Sequence, residues 1–467
     1  MTQDQTPSLT LHVAEFAAAS HEKSLPDDVI ELGRKSILDG LGLALAGATS
    51  EAGHIVTDYL RDLGGNHAAC TVLGTQLRVP ARFAAFANGI AIHADDFDDT
   101  QLAMATDRVY GLLMHPTAPV LAGVLAIAER DGLSGAALTA GYHVGIEVCC
   151  KVAEAAGPRH YQDGFHTTGT CGTFGAAAGI ANLLRLTPDT TASVLGLAGS
   201  QSAGLRENFG TMTKPFHPGR SAESAVLAAD LVTRGFSATR NILEARRGFY
   251  HAACGGYDDT AIRGRLGRPW TFAKPGISIK PHPSGSLTHP AMAAILQLLE
   301  RHDVKPEAIE RIRVGTNHHM PTTLLHNDPQ NELQAKFSMQ FSAAILALRR
   351  RAGLPDYTDE VVASPEVRAM MRKVEFYVNE EANAAGFHKM TSIVEILLTD
   401  GRRLENRADF GKGSPANPMS WDEVAEKFHG CAAYGKLPPE RAREVVAMVA
   451  DLPALDDVRR LTALLVL

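Results

Sequence analysis

"SGAALTAGYHVGIEVCCKVAEAAG", residues 134–157, is a long run of small and apolar residues with only a few polar positions spaced through it. Apolar residues recur in it at helical spacing, which predicts an amphipathic to fully buried α-helix. The same texture continues in "GTFGAAAGIANLLRL" at 172–186. It is already present in "DDVIELGRKSILDGLGLALAGA" at 27–48, which opens on acidic residues as helices do. "SAESAVLAADLVTRGF" at 221–236 reads as a helix starting on a serine cap and ending at a glycine. With 42 glycines and only 6% aromatics, these runs point to close-packed helices more than to a sandwich or barrel.

After "GRPWTFAKPG" at 267–276 the pattern changes. "IERIRVGTN" (309–317), "KVEFYVNE" (373–380) and "SIVEILLTDGRRLENRAD" (392–409) alternate apolar and polar residues, the last around an Asp-Gly hairpin signal. Helical patterns at 289–302 and 334–353 lie among these strands, and 421–435 and 438–452 are helical again. A chain of 467 residues is too long for one small core, so two domains are expected. The reading is a mainly α protein with a discontinuous all-helical domain, 1–269 with 409–467, and a smaller α+β domain at 270–408.

Composition narrows the function. A net charge of −7 and a pI near 6.3 argue against a nucleic-acid partner. No apolar stretch reaches the roughly 18 to 20 residues that span a bilayer, so no membrane partner is expected. "MTQDQTPSLTLHVAEF" lacks a basic start followed by an apolar core, and a cytoplasmic location is the expectation. The six cysteines contain no C-x-x-C pair and read as small core residues, giving no support to an iron–sulfur cluster.

"HADDFDDTQ" at 93–101 then poses a problem: four aspartates directly after the apolar "FAAFANGIAI". The run fits a solvated helix end. It also fits the D-D-x-x-D pattern that holds magnesium in helical isoprenoid synthases, although no second acidic motif follows and aromatics are scarce. The third reading is a catalytic loop in which one or two aspartates orient other groups. Three further motifs favour it. "MHPTAP" places His115 before a proline and an alanine-rich helix. "GFHTTGTCG" places His166, Thr167, Thr168 and Thr170 in a turn leading into a helix, and "NFGTMTKPFHPGRSAES" places Lys214, His217 and Arg220 ahead of another. Helix N-termini with nearby cations and hydroxyls make anion sites, and three of them point to a substrate with several carboxylates.

Taken in order, "NGIAIHADDFDDT", "HPTAPVL", "GFHTTGTCGTFGAAAG", "NFGTMTKPFHPGRSAE", "KPHPSGSLTHPA" and "LQAKFSMQFS" resemble the MmgE/PrpD family over residues 10 to 460. The resemblance implies a helical domain made from both chain ends, an α+β domain between them, a homodimer, and an active site in the cleft between domains. It implies catalysis without metal or organic cofactor. By motif, the catalytic residues fall at Asp96, His115, His166 and Lys214, and Thr100 holds a substrate carboxylate. His217, Arg220, Lys280 and His289 are expected to bind substrate, while Asp98 and Asp99 fix the loop and pair with nearby cations. The implied activity is a lyase on a small polycarboxylate, of the 2-methylcitrate dehydratase type, working by proton transfer beside a carboxylate. Decarboxylation of a cis-aconitate-like acid, epimerisation of an iminodisuccinate-like dicarboxylate and a non-catalytic carboxylate-binding scaffold are the alternatives.

Three departures bear on substrate choice. "QLAMATDRVYGLLM" at 101–114 lengthens the step from Thr100 to His115, Gly285 replaces the family's frequent cysteine in "HPSGS", and "GKGSPANP" stands at 411–418 where a Gly-His-Pro is common.

Overall fold

A computed structural model describes residues 8–64, 69–101, 114–386 and 389–467. The long step after Thr100 therefore lies outside the described residues except for Gln101 and Met114, which form an antiparallel bridge.

The protein is mainly α and divides into two compact units. The larger runs to Ala94, resumes over Asp98–Ile277 and closes with Trp421–Leu467. The smaller comprises Ser278–Ser420 together with the tripeptide Asp95–Phe97.

Small residues explain how the larger unit packs. Helix Gly135–Gln162 lies against helix Thr167–Leu183 through facing glycines. A Cβ added at Gly175 would stand 2.4 Å from the Cβ of Cys149 and 2.7 Å from the Gly145 carbonyl oxygen. One added at Gly179 would stand 2.6 Å from the Gly141 carbonyl oxygen. The backbones touch, so bulky or aromatic side chains have no room there. Gly157, at φ 67°, with Pro158 behind it, kinks the first of these helices near its end.

Helices Ala81–Ala94 and Thr213–Val232 meet in the same way. A Cβ at Gly89 would lie 2.7 Å from the Gly219 Cα. His93 is four residues past Gly89 and Lys214 five before Gly219, so this close crossing carries both toward one place. All six cysteines are free and buried, as core residues.

Two local expectations need correction. The larger unit is not wholly helical, since Cys70–Thr71 pairs antiparallel with Arg78–Val79. Helix Thr213–Val232 begins eight residues before the expected serine cap, so Lys214, His217 and Arg220 lie within it rather than ahead of it. Pro215 falls in the first turn, where a missing N–H costs nothing, and so does not mark a break. The Ser221 hydroxyl, mid-helix, donates instead to the carbonyls of Gly169 and His217. Thr167, Thr168 and Thr170 are likewise helical, with His166 at the N-cap position.

In the smaller unit a four-stranded sheet runs in the order Val374–Val378, Ile309–Thr316, Ser392–Leu398, Arg403–Ala408. The first pair is parallel and the other two are antiparallel. Ser392–Leu398 alternates buried and half-buried positions, as its sequence pattern requires. Helices His289–Arg301 and Met339–Arg349 supply Ile295, Leu298, Phe341 and Ile345 to the core that holds Ile312, Val314, Val394 and Ile396. The Asp-Gly turn closes the last hairpin, with Gly401 at φ 88°. No helix among the described residues is long and apolar enough to cross a membrane.

Candidate active site

Helix Ala81–Ala94 ends beside its last-turn residue His93, and the chain then turns sharply at Asp96, whose φ is 50°. Aspartate tolerates this left-handed conformation better than most residues. The turn brings Asp98 back onto His93, with Nδ1 2.8 and 2.9 Å from its two carboxylate oxygens. His115 Nδ1 lies 3.2 Å from Asp98 Oδ1 and 3.1 Å from the Asp99 carbonyl oxygen. Its backbone N–H donates to Thr168 Oγ1.

Each aspartate of the run thus has its own partner. In the smaller unit Lys336 Nζ is 3.0 Å from Asp95, and Lys280 Nζ is 3.2 Å from Asp96 Oδ2 and 2.6 Å from the Asp96 carbonyl oxygen. In the larger unit Asp98 accepts from two imidazoles, and Asp99 accepts from the Thr117 hydroxyl at 2.6 Å and the Thr117 N–H. Asp96, Asp98 and Asp99 are buried, which rules out a solvated helix end. The carboxylates are spent on internal partners, which removes support for the magnesium–diphosphate reading. The expectation that Asp99 pairs with a cation is corrected too. Its partners are hydroxyl and amide, and burial lifts its carboxyl to about 7, with Asp98 and Asp39 adding to the rise.

Lys214 Nζ lies 3.0 Å from His93 Nε2. His166, at the start of helix Thr167–Leu183, has its Nδ1 2.9 Å from His217 Nδ1. The other nitrogen of His166, Nε2, is buried without a hydrogen-bond partner among the described residues. Ring centroids of His93 lie 4.5 Å from His115 and 5.8 Å from His166. Phe209 closes one side, edge-on to His166 at 5.0 Å and with Lys214 Nζ 5.4 Å from its ring centre.

Burial dominates the electrostatics. It pushes His166 well below the usual histidine value, and Lys214 and the neighbouring imidazoles push the same way. Burial and Lys214 bring His217 down to about 4. Burial takes His93 to about 3 in spite of Asp98. Burial works to raise Asp98, but the two imidazoles outweigh it and hold the carboxylate ionised. At neutral pH His93, His166 and His217 are therefore neutral, gathered with Lys214 and the ionised Asp98.

His93, Asp98 and His115 offer ligand atoms within 4.8 Å of one another. As a metal site they fit poorly. Asp98 already accepts from both rings, and His93 Nε2 faces the Lys214 ammonium, which a divalent cation would have to displace or sit beside.

The expected residues His115, His166, Lys214 and His217 thus gather around one point in the larger unit, and Thr100 is buried in the same unit. Arg220 does not join them, because its guanidinium pairs with Glu223, which also takes Arg82. Asp96 and Lys280 pair with each other in the smaller unit. His289, also there, begins a helix, with its Nε2 3.4 Å from Ser284 Oγ. His93 was missed as a site residue. Its signal was present: a histidine closing an apolar helix, five residues before Asp98.

A model of the MmgE/PrpD N-terminal domain matches residues 11–261, and one of the MmgE/PrpD C-terminal domain matches 282–452. The chain belongs to the MmgE/PrpD family and is an enzyme. It is 28% identical to the cis-aconitate decarboxylase of Homo sapiens, over 96% of this chain and 93% of the relative. It is 26% identical to the cis-aconitate decarboxylase of Aspergillus terreus, over 98% and 96%. With the mitochondrial 2-methylcitrate dehydratase of Yarrowia lipolytica the identity is 25%, over 87% and 80%.

Proposed function

We propose that this enzyme is a lyase of small polycarboxylates that moves a proton at a carbon beside a carboxylate, without a metal or organic cofactor. The observation that carries the reading is the buried Nε2 of His166, without a hydrogen-bond partner among the described residues, in one side-chain cluster with the Lys214 ammonium. Proton chemistry of this kind builds charge on the carboxylate oxygens. A lysine held in a water-poor pocket stabilises that charge more than it would in water. The paired Nδ1 atoms of His166 and His217 share one proton. When His166 donates, its Nε2 is a base aimed into the pocket, and once charged it returns the proton. His115 serves as the second acid–base group; by motif position Asp96 is assigned to catalysis and Thr100, Lys280 and His289 to substrate.

Decarboxylation of a cis-aconitate-like acid is the first reading, favoured by relatives of that name that align over nearly the whole of both chains. One C–C bond to a carboxylate breaks, its electron pair stays on the skeleton, carbon dioxide leaves, and a proton closes the carbon. Dehydration of a 2-methylcitrate-like acid is the second. It is favoured by the neutral His166, since dehydration begins with removal of a C–H proton, after which the hydroxyl leaves with a proton. The two are separated by incubating the chelator-treated protein with cis-aconitate and 2-methylcitrate and following products by NMR. The expected result is release of carbon dioxide with one new alkene from cis-aconitate, at a rate unchanged by chelator. Loss of turnover on chelation, restored by a divalent metal, would overturn the cofactor-free part, and water loss from 2-methylcitrate alone would select the second reading.

A further inference from the structure

His93 is buried, is not among the residues expected from motif, and joins Asp98 to Lys214. Two constraints fix where its proton sits. The ionised Asp98 carboxylate can only accept, so the ring nitrogen beside it, Nδ1, carries the hydrogen. The Lys214 ammonium can only donate, so the nitrogen beside it, Nε2, must be bare; an N–H there would face another donor at 3.0 Å. Both constraints select the same tautomer. The crossing of helices at Gly89 and Gly219 sets the distance between the two side chains.

We propose that His93 is a positioning residue: locked by Asp98 with its proton on Nδ1, it holds the Lys214 ammonium through Nε2 and aims it at the substrate carboxylate. A neutral acceptor orients the ammonium without cancelling its charge, as a carboxylate in that place would do. Because Asp98 also binds His115 Nδ1, one carboxylate sets the orientation of two imidazoles. The role of Lys214 toward substrate rests on the proposed function, whereas the tautomer does not.

The test has a substrate-independent arm and a kinetic arm. In the first, the full-length protein is labelled with nitrogen-15 at histidine, and the His93 signals are assigned by their loss in His93→Gln. The expected spectrum has a protonated Nδ1 and a bare Nε2, and Lys214→Met moves the Nε2 signal. A protonated Nε2, or an Nε2 signal indifferent to Lys214→Met, overturns the proposal.

In the second arm His93→Gln is compared with His93→Asn. The glutamine amide reaches the place of Nε2 and accepts from Lys214, whereas the asparagine amide reaches only the place of Nδ1. His93→Asn is expected to lose about tenfold to a hundredfold in kcat/KM, and His93→Gln to recover most of it. Equal losses in two folded variants overturn the positioning role. If the wild-type protein turns over no polycarboxylate, the proposed function fails while the nitrogen-15 spectrum still decides the case of His93.

Discussion

Lys214→Met is expected to lower kcat/KM on the polycarboxylate substrate by about 10²–10³, the usual cost of removing one preorganised charge from a developing oxyanion. Methionine keeps an unbranched apolar side chain of similar length and deletes the ammonium that faces the Phe209 ring. The change also strips His93 Nε2 of its donor, leaving a buried acceptor unsatisfied at about 1–3 kcal/mol. The variant should therefore unfold at a lower temperature yet still fold. Thermal unfolding by circular dichroism, measured beside steady-state kinetics, separates the two effects. A folded Lys214→Met with wild-type kcat/KM would remove the lysine from the chemistry.

His166→Gln is the second large effect. Glutamine fills a similar volume and brings an amide to the place of Nε2, but it cannot take up a proton, so kcat should fall by about 10²–10⁴. The pH profile makes the assignment specific. The folded pKa of His166 lies well below 6.5, with burial as its main cause. The neutral base is therefore fully present at neutral pH and is lost only as pH falls through that lowered value. The acid limb of kcat/KM, read against the substrate's own carboxyl titration, should lie below pH 6.5. The same shift has a stability consequence. An unfolded histidine takes its proton near 6.5 and the folded one resists, so stability falls as pH drops below that point. His93 and His217, at about 3 and about 4, act in the same direction. Asp99 acts oppositely. Its folded value of about 7 exceeds the unfolded one, so its contribution is full below the unfolded value and fades as pH rises through 7.

Much of this was legible in the sequence, for identifiable reasons. Period-3.6 runs of alanine and glycine gave the helices, and "LLTDGRRL" gave the last hairpin, because backbone preference and burial agree there. His115, His166 and Lys214 stood out as cations or imidazoles near helix starts. The boundary near Lys214 misled because Ser221 looks like a helix cap, whereas the helix already begins at Thr213 and Pro215 sits where it has no bond to lose. His93 stayed hidden because a histidine at the end of an apolar helix looks like a core residue, and only its distances to Asp98 and Lys214 give it a role. The four aspartates were visible as a group, but their separate partners depend on residues up to 241 positions away, which no local pattern encodes.

The central claim is that this pocket transfers a proton at a carbon next to a carboxylate. The most direct measurement is proton NMR of cis-aconitate incubated with the chelator-treated enzyme in heavy water. The expected result is one deuterium placed at a carbon beside a carboxylate of the product, at a rate strongly reduced by His166→Gln and Lys214→Met alike. Turnover that places no solvent deuterium on carbon, or that survives both substitutions in folded protein, would contradict it.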